Sequence, residues 1–222
     1  MTEFFAQYGP LLIQGTGETL YMTVASTFFA YLLGLPMGVL LTVTKPGALA
    51  PAPRFQAVFG WLVNVLRSLP FIILMIFVIP FTRALVGTSI GCTAAIVPLT
   101  LSAAPFVARM VESSLEEVDT GVVEAVKSMG ATNWQIVTRV MLVESVPSLL
   151  RGLSISTITI LGYTAITGAV GAGGLGNLAL RFGYQRYQKD VMYATIVLLV
   201  LLVCIIQSVF NFAARRADRS RR

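Results

Sequence analysis

Residues able to do chemistry are sparse in this chain, and they concentrate between Arg109 and Glu144. The carboxylates Glu112, Glu116, Glu117, Asp119, Glu124 and Glu144 interleave there with Arg109, Lys127 and Arg139. The chain has no histidine, and its two cysteines, Cys92 and Cys204, both sit inside apolar runs. Without a CxxC pair or a histidine, neither a metal or haem centre nor a disulfide framework is expected. No catalytic constellation emerges, so the chain reads as a non-enzyme. The polar interval instead offers a shape.

That shape lies in DTGVVEAVKSMGATNWQIVTRVML, Asp119 to Leu142, which reads as two short amphipathic helices joined at Gly130. Asp119 or Thr120 can cap the first helix by accepting from its free N–H groups. Val122, Val126 and Met129 recur at helical spacing and give one apolar face, with Glu124 and Lys127 off it. Gly130 suits the residue just past a helix end, where a left-handed backbone costs other residues about 1–2 kcal/mol. Thr132 followed by Gln135 fits a capping box opening the second helix. A DNA-binding helix-turn-helix has the same outline, but it needs a soluble three-helix domain around it. Here apolar runs flank the pair, so it reads as a water-facing docking element and nucleic acid is not an expected partner.

The composition explains the flanks. Of 222 residues, 56% are hydrophobic and only 12% charged, with mean hydropathy +0.81. Soluble domains carry about a quarter charged residues, so the class is an all-α integral membrane protein, expected to fold as a single transmembrane domain over residues 1–222. Predicted spans are roughly 19–43, 58–80, 89–107, 146–171 and 191–212, with the polar helical loop at 119–142. Gly34, Pro36 and Gly38 suggest a kink in the first span, and Pro70 a bend just beyond the intramembrane Arg67. The segments PFTRALVGTSIG and RMVESSLEEVDTG read as connections at span ends.

The first apolar run lacks the basic flank and cleavage site of a signal peptide, and it is expected to be retained. The net charge of +6 reflects a basic tail: Arg215, Arg216, Arg219, Arg221 and Arg222 lie together. Lys45, Arg54, Arg109, Lys127, Arg139 and Arg151 fall on the same side as that tail; Arg83, Arg181, Arg186 and Lys189 fall opposite. The positive-inside rule then predicts a cytoplasmic loop and C-terminus and an outside N-terminus.

Glu124-Ala125-Val126, Gly130, Val140 and Leu142 resemble the E-A-A-x-x-x-G…I-x-L-P motif of binding-protein-dependent ABC-importer permeases. The chain departs from it at Val126, at Val140 and at Val143, where the motif has Ala, Ile and Pro. RSLPFIILMIFVIPFTRALVGTSIG, AAIVPLTLSAAPFVARMVE and GAVGAGGLG look like the methionine-uptake branch of that family. The resemblance implies a type I importer permease, multi-pass in a bacterial inner membrane. It further implies a homodimer whose coupling residues Glu124, Ala125, Val126, Met129 and Gly130 dock on a cytoplasmic ABC ATPase dimer. That ATPase would use ATP and Mg, with no cofactor on this chain, and an extracytoplasmic methionine-binding protein would deliver the cargo. Another amino acid or a phosphonate-like anion is the alternative cargo.

GAGGLG, Gly171 to Gly176, imitates a dinucleotide loop but lacks the soluble βαβ unit that such a loop needs. No Gly-Lys step exists, so there is no Walker A loop and energy must come from a partner. An ion-coupled carrier would bury ionisable groups along its path, whereas the acids here gather at the loop and span ends. The small-residue end of the fourth predicted span, with Tyr163, Ile166 and Gly168, is the expected translocation pathway or gate.

Overall fold

The computed structural model describes residues 2–219, so Arg221 and Arg222 of the basic tail lie outside the described residues. Helix α1 (Thr2–Val43) begins well before the predicted first span and runs unbroken through Gly34, Pro36 and Gly38. Its 42 residues would measure about 63 Å, roughly twice a hydrocarbon core. Within it Gly34 and Gly38 serve close contact. A Cβ on Gly34 would stand 2.7 Å from the Val107 side chain, and one on Gly38 2.6 Å from the Ala108 carbonyl.

The predicted second span is not one helix. α2 (Pro53–Ser68) ends before Leu69 and Pro70, and α3 (Phe71–Phe77) starts anew behind them. Proline lacks the N–H that would continue the ladder and biases its predecessor away from helix. Arg67 therefore sits exposed at the end of α2. PFTRALVGTSIG is also not a plain loop. It contains most of α4 (Ile79–Val86), which ends at Gly87 with φ 82°.

The third span extends past its predicted end as α5 (Cys92–Glu116), absorbing Arg109, Glu112 and Glu116 into the helix. The short helices α6 (Thr120–Ser128) and α7 (Asn133–Gln135) follow. A π-helical stretch (Ile136–Met141) and α8 (Leu142–Glu144) lead to α9 (Val146–Gly168). Beyond it come α10 (Gly174–Leu178), a second π-helical stretch (Ala179–Tyr184) and α11 (Lys189–Arg219). α9 stops three residues short of its predicted end, and α11 overruns at both ends.

Among the described residues, four helices are long and apolar enough to cross a membrane, or five if α2 and α3 count as one interrupted span. α11 is the most apolar of them, and almost all of its apolar window is left uncovered by the chain. That is the condition of a lipid-facing or partner-facing helix.

Two compact units make up the chain. The first comprises Met1–Phe29, Leu69–Ser102 and Thr157–Gln207. Leu12, Leu161, Leu175, Leu178 and Leu202 form its buried cluster. The second comprises Ala30–Ser68, Ala103–Ser156 and Ser208–Arg222, with Leu41, Val63 and Ala108 buried together beside Met37 and Phe59.

Candidate coupling loop and pathway residues

In the second unit the loop folds by the local signals its sequence carries. Asp119 caps α6 by accepting from the Gly121 N–H at 2.7 Å. Gly130 takes φ 85° and donates its N–H to the Lys127 carbonyl, while Ala131 donates to Val126. That pair of bonds is a Schellman motif, which satisfies carbonyls the helix end would otherwise strand. Thr132 and Gln135 then close the capping box of α7 in both directions.

No residue of α6 is buried. Met129 is 85% exposed, and Val122, Glu124, Ala125 and Gly130 are exposed beside it, with Val126 half-buried. An apolar helix face without a partner in its own chain is the form of a surface that enters another protein's groove. Trp134, 76% exposed, extends that surface on the second helix.

A charge cluster that sequence reasoning missed holds the loop's base. Glu112, only 4% exposed, accepts from Arg109 Nη1 at 2.6 Å and pairs with Lys45 at 2.9 Å. Lys45 also pairs with Glu116, and Arg109 Nη2 donates to the Gly60 carbonyl at 2.8 Å. Burial by itself lowers the Lys45 pKa, but hydrogen bonds and charge from Glu116 and Glu112 outweigh it, and the net shift is upward. A lysine with a raised folded pKa contributes stability that is full at neutral pH and is lost only as pH rises past the ordinary lysine range.

Asn133 Nδ2 donates to the Leu49 carbonyl at 3.1 Å, tying α7 to the loop after α1. A cavity of about 370 Å³ remains under α6, lined by Lys45, Leu49, Glu116, Val123, Glu124 and Lys127. The only signal for this cluster in the sequence was the abrupt arrival of charge after Val107, which read as the end of a span. Lys45→Glu is expected to lower transport about fivefold, the scale of a ~1 kcal/mol surface pair. Lys45→Glu with Glu116→Lys should recover most of the loss, measured as initial uptake rate per inserted protein.

In the first unit, Tyr163 stacks on Phe71 with ring centroids 4.6 Å apart and planes 4° from parallel. Ile166 lies one turn on, 37% exposed. Gly168 is buried at the end of α9, where its carbonyl accepts from Asn177 Nδ2 at 3.0 Å. A Cβ on Gly168 would stand 2.6 Å from the Gly176 carbonyl carbon, and one on Gly176 2.5 Å from the Ala165 Cα. The glycines of the motif therefore let α10 fold back against α9, backbone to backbone. Tyr163, Ile166 and Gly168 thus belong to one hairpin. The residues expected to couple, Glu124 to Gly130, lie in the second unit.

Long apolar helices, an exposed helical loop shaped for docking and a glycine hairpin closing one span together define the type I ABC-importer permease fold. The chain matches the family described as binding-protein-dependent transport system inner membrane component over residues 34–222, and it belongs to that family.

It is 46% identical over 218 residues to the probable D-methionine transport system permease protein MetI of Vibrio cholerae, covering 98% of this chain and 97% of the relative. To the D-methionine transport system permease protein MetI of Escherichia coli K12 it is 53% identical over 158 residues, 71% of this chain and 73% of that one. A solved structure described as an inward-facing conformation of the MetNI methionine ABC transporter superposes with TM-score 0.94 at 50% identity. The match covers 95% of this chain and 98% of that one. An amino acid ABC transporter at 20% identity and TM-score 0.78 shares the fold.

Proposed function

We propose that this chain is the membrane subunit of an ATP-driven importer and forms, with a second copy of itself, the pathway for methionine handed over by an extracytoplasmic binding protein. The observation that carries this reading is the loop. A helix with no buried residue, ended by a left-handed Gly130, sits in a chain half-identical to a methionine ABC transporter subunit along nearly its full length.

In this reading α2 and α3 make one interrupted span, giving five, and the whole chain works as one permease domain. The N-terminus lies outside and the C-terminus inside, supported by the basic residues on the side of the loop and tail. Glu124, Ala125, Val126, Met129 and Gly130 enter a groove of a cytoplasmic ATPase that binds ATP and Mg. Closure of that ATPase dimer draws the two loops together, and the rigid helices carry the movement to the pathway. Tyr163, Ile166 and Gly168 form the gate, with the Tyr163–Phe71 stack as part of its apolar wall.

The test is uptake of labelled methionine into vesicles holding this chain and its ATPase, with binding protein supplied outside. Accumulation that requires ATP and is competed by unlabelled methionine is expected. ATP hydrolysis without methionine accumulation would move the cargo to another small solute, and uptake driven by an ion gradient without the ATPase would overturn the reading.

A further inference from the structure

We infer that Glu18, with Thr19 beside it, is a positioning residue that fixes the glycine hairpin behind Ile166 and Tyr163 and so keeps the pathway shut on that side. The inference rests on the gate assignment above and adds the element that holds the gate in place.

Glu18 is a half-buried acid on α1. α1 begins at Thr2, so Glu18 lies well inside it. A half-buried carboxylate is costly unless its oxygens are satisfied. Both are: Gly174 donates its N–H to Glu18 Oε2 at 2.7 Å, and Gln14 Nε2 donates to Oε1 at 2.8 Å. The next backbone N–H, that of Leu175, goes to Thr19 Oγ1 at 2.9 Å, and Thr19 in turn donates to the Gly15 carbonyl at 2.8 Å. Two consecutive N–H groups of the hairpin thus end on two consecutive side chains of α1.

The backbone conformation makes this possible. Gly171, Gly173 and Gly174 have φ values of 86°, 88° and 77°, and successive N–H groups exposed in such a turn form a concavity suited to an anion. The glycine run that imitates a dinucleotide loop therefore does receive an anion, the protein's own carboxylate. Close fit confirms the seat. A Cβ on Gly173 would stand 2.6 Å from Glu18 Oε2, and one on Gly174 2.8 Å from Thr19 Oγ1. On the far side of the turn the Gly171 carbonyl accepts from the Gly91 N–H at 3.2 Å, and the Ala172 carbonyl accepts from Cys92 Sγ.

The consequence reaches the pathway through the contacts of α10 with α9. Glu18 and Thr19 set the position of Gly174 and Leu175, which begin α10. Gly176 and Asn177 of α10 rest on the backbone of Ala165 and Gly168. Ile166 lies between those contacts, and Tyr163 one turn before it. Freeing the N–H groups of Gly174 and Leu175 lets α10 drift from α9 and removes the support of Ile166.

The experiment uses the whole transporter in vesicles and compares Glu18→Ala, Glu18→Gln and Thr19→Val. Two quantities are read: amide exchange in the peptide carrying Gly174 and Leu175, and release of preloaded labelled methionine without ATP. Glu18→Ala is expected to speed exchange about tenfold, the scale of one lost charge-assisted hydrogen bond. It should also raise ATP-independent release several-fold at unchanged yield of assembled complex. Glu18→Gln keeps an acceptor oxygen and should stay within about twofold of the parent in both, with Thr19→Val between them.

Parent-like exchange and release in Glu18→Ala would overturn the inference. So would a loss of assembled complex with no added release, or a Gln variant as damaged as the Ala variant. Should the parent vesicles handle no methionine at all, the cargo reading fails by itself, while the exchange contrast between Ala and Gln still decides the positioning role.

Discussion

Replacing Gly130 by valine is expected to abolish most ATP-driven uptake while the chain still inserts in the membrane. The reason is conformational and local. An added Cβ at Gly130 meets nothing within 4 Å, so the substitution creates no clash. What it opposes is φ 85°, which costs an ordinary residue about 1–2 kcal/mol and a β-branched one at least that. At ~2 kcal/mol the equilibrium favouring the correctly turned loop weakens about thirtyfold, and the Schellman bonds from Gly130 and Ala131 weaken with it. Met129 and Val122 are then no longer presented as one face. Asparagine visits the left-handed region far more readily, so Gly130→Asn should retain much of the transport. Uptake and copurification of the ATPase, scored for Val and Asn side by side, check this. Equal, parent-like transport in both variants would remove the turn from the coupling mechanism.

The same contrast shows which parts of the molecule were legible in the sequence. Asp119, Gly130 and the Thr132–Gln135 box form as expected because each acts on backbone groups within a few residues of itself. The membrane class was legible for a different reason: charge depletion over long runs has no other stable outcome. Helix ends were not legible, because hydropathy marks where lipid stops and not where the backbone ladder stops. Arg109, Glu112 and Glu116 look like the end of a span, yet they neutralise one another and Lys45 on a helix that continues to Glu116.

Gly34 and Gly38 carry a further ambiguity. Glycine in a helix weakens it and also permits close approach, and only the facing residues Val107, Ala108 and Val111 decide between the two. Glu18 was the least legible residue of all. Its partner Gly174 lies 156 positions away, and nothing near Glu18 distinguishes a clamp from a stray acid at a span's edge. The proline at position 70 did give notice of the break between α2 and α3, although not that a new helix would start directly behind it.

Gly176→Ala should be the most damaging single-methyl change in the first unit, cutting transport by more than about tenfold. A Cβ there would stand 2.5 Å from the Ala165 Cα and 2.8 Å from its carbonyl carbon. Those are backbone atoms inside α9, so relief cannot come from a rotamer change, and overpacking of this kind costs about 1–3 kcal/mol. The cheapest escape is for α10 to move off α9, which breaks the bond from Asn177 to the Gly168 carbonyl and frees the end of α9 that carries Ile166. Gly168→Ala meets the backbone of Gly176 and Asn177 from the other side and should behave alike. Gly17→Ala is the control, since its added Cβ meets nothing within 4 Å and alanine is the better helix former. Vesicle uptake together with yield of assembled complex separates the outcomes. Loss of transport with normal assembly in the Gly176 and Gly168 variants is expected, and Gly17→Ala should match the parent. Full activity in Gly176→Ala would mean that the two helix backbones do not pack at the distance seen here. The gate would then have to be sought away from the hairpin.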